Sequence, residues 1–215
     1  MPRHVTALSF ALILLVPSLS AQSLGDSPFG KFLGQHLDSM VRDSLVKRLN
    51  RRPSGLQLND VLRDDMLLRL SDSNLVRLAA VILLSLQQVD STICASFALS
   101  GADSAASIIS LAIRVDSATA KRWVSLMHQM MLTGLRDTPR GRVVSLDTAL
   151  GQMTAMLISL PAEEHARIRA AMSTPNGSKS ARCRFAKLLF SGLMKMPPDQ
   201  AGPMMRTLMG LSLTP

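Results

Sequence analysis

From Phe29 onward, apolar residues recur at steps of three and four. Phe29, Phe32, Leu33, Leu37, Met40, Val41, Leu45 and Leu49 fall on one stripe. That beat belongs to a helix with one buried face, and no comparable stretch alternates every second residue as a half-buried strand does. The apolar residues are the helix-favouring kind. The chain has 14 Met, many Leu and Ala, no Tyr, one Trp and only 3% aromatic residues, whereas strands favour aromatic and β-branched side chains. The expected fold is all-α, a closed bundle of consecutive helical hairpins with eight to ten helices. The first helix should run from Pro28 to about Arg51, with Asp38 and Arg42, and Asp43 and Lys47, as acid-before-base pairs on its wet side.

Residues 1–21 read as a cleavable signal peptide. Arg3 and His4 lie in a short basic lead, Leu8 to Val16 is nearly unbroken apolar sequence, and Pro17 followed by small residues favours cleavage after Ala21 or Ser20. The apolar run is too short to span a bilayer. Residues 22–215 are then expected to form a single all-helical domain, periplasmic or secreted, with no transmembrane span.

Beyond residue 52 the chain holds a loose repeat. Leu70, Val115 and Leu160 are spaced 45 apart, with Arg77, Arg122 and Arg167 seven residues on and Leu78, Trp123 and Ile168 after them. A shorter copy follows at Met196. Each reads as helix, tight turn, helix, and a period near 45 is that of two-helix repeats. The stretch Leu75–Leu86, apolar almost all round, is the expected central buried helix.

Cys94 and Cys183 are the only cysteines, and an oxidising compartment lets them pair. Both are expected in connectors after the second helix of a unit. Their bridge would close a loop of about 90 residues, worth roughly 4–5 kcal/mol by chain entropy. It would also fold the hairpins back on one another, since non-neighbouring units of an extended solenoid do not touch.

Catalytic signals are sparse. There is no metalloprotease, nucleophile-elbow or phosphate-loop motif. Glu163 and Glu164 follow Pro161, where first-turn acids offset the helix dipole. Ser44 and Lys47 match S-x-x-K mid-helix, without its companion motifs. Asn176-Gly177-Ser178 is both a glycosylation sequon and a plausible turn. No cofactor is expected, and the chain is read as non-enzymatic.

Charge supplies the functional lead. After cleavage 23 basic residues face 15 acidic ones, leaving +8. Residues 22–120 balance at 10 of each, while residues 121–215 hold 13 basic and 5 acidic. Arg136, Arg140 and Arg142 fall in one loop. Lys179, Arg182, Arg184 and Lys187 fall at a second loop and helix start. Together they form a candidate cationic site for anionic lipid, lipopolysaccharide or an acidic protein. Nucleic acid is a poor candidate, because few aromatics are present to stack bases. The first alternative is a Met-rich copper-binding protein using Met127, His128, Met130, Met131, Met194 and Met196, since thioethers and imidazole suit Cu(I). Against it, Met127, Met130 and Met131 fit a core stripe beside Trp123. The second alternative is an enzyme of unrecognised type, which a pocket holding His128 or His165 beside a buried Asp would favour.

Overall fold

Helix starts in this chain are written by short polar side chains, and the computed structural model shows them in place. It describes residues 25–40, 66–100, 105–135, 140–174 and 177–210; the expected signal peptide at residues 1–21 and residues 41–51 of the first expected helix lie outside these. Among the described residues there are no strands, one single turn at Met66–Arg69 and nine longer helices. These are α1 (Pro28–Met40), α2 (Asp72–Gln88), α3 (Ser91–Ser100), α4 (Ala105–Ala112), α5 (Ser117–Leu135), α6 (Leu146–Ile158), α7 (Ala162–Ser173), α8 (Lys179–Lys195) and α9 (Pro198–Gly210). The all-α expectation is met.

Ser71, Ser145 and Ser178 cap α2, α6 and α8 by accepting the N–H of Asn74, Thr148 and Ala181 at 3.3, 3.1 and 3.3 Å. Asp90 accepts two N–H groups at the head of α3, from Thr92 at 2.7 Å and Ile93 at 3.1 Å. Asp116 accepts that of Thr119 at 2.7 Å at the head of α5. Each satisfies a donor that the first helical turn leaves unpaired. The N–H of Ile93, then that of Thr92, holds the Asp90 carboxyl below its usual 3.8. The backbone and then the hydroxyl of Thr119 do the same for Asp116.

Helix α2 packs against α4, α5, α8 and α9. Its buried residues are Leu75, Leu78, Ala79, Val81, Ile82, Ser85 and Leu86, while Arg77 stays exposed. Leu75–Leu86 is therefore the central helix expected from its composition. Burying a Leu or Ile fully is worth about 2 kcal/mol, so this element anchors the core. Its one buried polar group is satisfied twice. Ser85 Oγ donates to Val81 O at 2.8 Å and accepts the indole N–H of the buried Trp123 at 2.8 Å. At the far end of α2, Gln88 bonds Asp116 and Thr119, tying its last turn to the start of α5. Helix α1 packs on α5, where Lys121 Nζ sits 5.0 Å from the centre of the Phe32 ring.

Helix α8 packs on both α2 and α3, and Cys94 and Cys183 join α3 to α8 as a disulfide with Cα atoms 5.0 Å apart. The expected pairing is present, but its setting differs. Both cysteines lie inside helices and are buried, because α3 and α8 each begin earlier than the unit pattern implied. Contact between α2 and α8 joins segments about a hundred residues apart, which a stack of nearest-neighbour hairpins does not provide.

The residues of the 45-residue spacing, and Met196 of the shorter copy, fall at equivalent junctions. Leu70, Val115, Leu160 and Met196 each stand two residues before the first residue of a helix, α2, α5, α7 and α9. Leu78, Trp123 and Ile168 are buried and Arg77, Arg122 and Arg167 exposed. This is agreement of boundaries and facing. The packing partners differ, with α5 carrying α1 and α7 lying on α8.

Candidate functional site

Residues 140–145 form a non-helical strap leading into α6, and α9 receives it. Pro203, inside α9, has no N–H to give the carbonyl of Asp199 four residues earlier. Arg142 Nη2 supplies the missing donor at 3.0 Å. Thr207 Oγ1 donates to Val144 O at 2.8 Å and accepts Val144 N–H at 3.1 Å. Gly141 N–H donates to Leu68 O at 2.7 Å.

Beneath the strap lies Arg206, 3% exposed. Its guanidinium pairs with Asp72 Oδ1 at 2.7 Å and donates to Arg142 O at 2.9 Å and to Leu70 O. A Cβ at Gly141 would overlap that guanidinium, so any larger residue there would require Arg206 to shift. One buried cation thus joins three segments that are distant in sequence.

The strap presents cations and apolar side chains together. Arg140 and Arg142 are exposed. Val143 is 54% exposed, and Leu146 and Leu150, one turn apart on α6, are 41% and 46% exposed. Ala149 is the one buried residue of α6.

The seven cations singled out in sequence do not form one patch. Arg136 lies outside the described residues. Arg140 and Arg142 sit by Leu68, Leu70 and Asp72, at the start of α2. Lys179 reaches Thr92 Oγ1 at 3.4 Å, beyond the other end of α2. Seventeen helical residues, about 25 Å, separate these ends. Arg182 is a correction of a different kind. It is 5% exposed, and it donates through Nε to Ala171 O at 2.8 Å and through Nη2 to Thr174 O. It satisfies carbonyls at the end of α7 and is not placed to meet a partner. Arg184 is exposed and pairs with Glu164, and Lys187 is half-buried.

The methionine clusters divide as well. Met127, Met130 and Met196 pack against the core, while Met194 is 42% exposed. Among the described residues no group of three or more His, Cys, Asp or Glu is placed to hold a metal ion.

A second feature lies under the α6–α7 hairpin. One hollow of about 290 Å³ is lined by apolar side chains from α3, α6, α7, α8 and α9, including Phe97, Leu189 and Leu208. Another, of about 420 Å³, lies between α6 and α7. Met153, Met172 and Phe185 border both. His165 and Arg169 line the second, with Arg169 Nη2 3.5 Å from His165 Nε2. No carboxylate is among its lining residues, so the His–Asp arrangement that would favour an enzyme does not occur there.

Sequence reasoning missed Arg206, Asp72 and Gly141. The available signal was Pro203 inside an otherwise helical pattern, which leaves a carbonyl in need of an outside donor. Comparison of the chain with protein-family models, with characterised proteins and with solved structures returns no match.

Proposed function

We propose that the protein is an exported, non-enzymatic helical interaction protein that docks on an anionic lipid surface through the strap and the exposed face of α6. The observation that carries this reading is the adjacency of Arg140 and Arg142 to the exposed Val143, Leu146 and Leu150. Apolar side chains entering the headgroup boundary and cations meeting anionic headgroups are the two terms of interfacial binding. Each basic residue near such a surface adds about 1 kcal/mol. The strap is held from behind by Arg206, so the residues are ordered before any surface is met. No described helix is long and apolar enough to cross a membrane, and peripheral docking requires none. A disulfide is compatible with an oxidising compartment outside the cytosol.

Flotation of the purified protein with anionic and with neutral vesicles, at low and at high salt, tests the proposal. Binding is expected to anionic vesicles only and to weaken in high salt. Replacing Arg140 and Arg142 with Ser should abolish it, as should replacing Leu146 and Leu150 with Ser. The charge-matched control Arg77→Ser/Arg122→Ser should float like the parent. Equal loss in the control would reduce the effect to net charge and sink the strap as the site.

A further inference from the structure

The two hollows beneath the α6–α7 hairpin meet at Met153, Met172 and Phe185, one of them lined by apolar side chains and the other carrying a cation. We infer that together they form a binding site for a single-chain amphiphile with an anionic head, such as a long-chain carboxylate.

Shape comes first. Two adjoining hollows of about 290 and 420 Å³ are each of the size that ligand pockets occupy. Only Met153, Met172 and Phe185 border both, and methionine side chains re-pack at little cost. An unbranched hydrocarbon can therefore run from one to the other. The inner hollow is lined by Phe97, Leu189, Leu193 and Met205 among other apolar side chains, and offers no hydrogen-bonding side chain to a polar ligand.

Charge fixes the orientation. Arg167 pairs with Glu163 and Arg184 with Glu164, so two of the cations near α7 already have carboxylate partners. Arg169, which lines the outer hollow, has none among the described residues; its neighbour is His165. A guanidinium presents a planar fork that matches a carboxylate. The acyl chain would lie inward along Met172 and Phe185, with its carboxylate at Arg169.

The hairpin over the site is built to adjust. Among the residues of α6 only Ala149 is buried, and α7 adds Ile168 and Ala171. A chain entering from the side of this hairpin therefore displaces few buried side chains.

Isothermal titration of the purified protein with dodecanoate and with its methyl ester, both below the concentration at which they aggregate and without vesicles, decides the matter. Saturable binding of one dodecanoate per chain is expected. Arg169→Gln should weaken dodecanoate by roughly tenfold, the effect of about 1.4 kcal/mol, and leave the ester unchanged. Ala98→Leu, which fills the inner hollow, should weaken both ligands without lowering the melting temperature. Arg140→Ser/Arg142→Ser should bind dodecanoate like the parent, so this site and the membrane-docking strap can fail separately. Absence of saturable dodecanoate binding, or binding that neither Arg169→Gln nor Ala98→Leu alters, would overturn the inference.

Discussion

Helices α2 and α6 are both rich in apolar residues, yet they are used in opposite ways. Helix α2 has seventeen residues and buries seven of them, with neighbours on several sides. Helix α6 has thirteen and buries only Ala149, leaving Leu146, Leu150 and Ile158 exposed. Burial is what stabilises a helix in a folded chain, so α2 should open only with the whole protein, whereas the α6–α7 hairpin should open locally at low cost. Apolar sequence therefore marks a core in one place and an unfilled surface in the other. The difference lies in what else packs there.

The sharpest way to break this contrast is to cut the link between α3 and α8. Replacing Cys94 and Cys183 with Ala should lower unfolding free energy by about 4 kcal/mol, read from urea midpoints against the oxidised parent. A loss under about 1 kcal/mol would mean that the core does not depend on the bridge. Next in size is Arg206→Ala, which leaves Asp72 and the carbonyls of Leu70 and Arg142 without their donor. A loss of about 3 kcal/mol is expected in the same assay.

A matched pair sharpens the comparison further. Ser85→Ala on α2 removes one oxygen and orphans the Trp123 indole, at about 1–2 kcal/mol. Leu150→Ser on α6 removes far more apolar bulk, yet should stay within about 0.5 kcal/mol of the parent. Trp123 is the single tryptophan, so its fluorescence reports on the core directly. Equal losses for the two variants would refute the division into anchored and loose regions.

The smallest effect concerns acid. The carboxyls of Asp90 and Asp116 titrate below 3.8 in the folded protein, so the folded state binds fewer protons there than the unfolded chain does. Their contribution is fully present above about pH 4 and is lost as pH falls through the lowered folded values. Asp90→Asn/Asp116→Asn should flatten that part of the melting profile and leave its slope at neutral pH alone.

Local signals were legible in the sequence. Apolar periodicity placed α1 and α2, and Ser, Asp and Pro marked the starts of α2, α5 and α9, because capping involves residues a few positions apart. The cysteine pairing followed from there being two. What stayed hidden depends on residues far apart in the chain. Arg182 reads as surface charge until the last carbonyls of α7 are seen beside it. Arg206 gives no sign that it will be buried, since its partners Leu70 and Arg142 lie 136 and 64 positions away. The two basic stretches look like one patch until α2 is seen to hold them apart. The cavity arises because α6 and α7 meet α8 without filling the space between, which no single stretch of sequence encodes.

The disulfide has a topological consequence. Cys94 and Cys183 enclose the whole of α4 to α7, so the loose hairpin lies inside a covalent ring. A protease nicking the chain between α6 and α7 would open the ring without dividing the molecule. The two fragments would remain one particle, with α3 still fastened to α8, and would part on a gel only after a reductant is added.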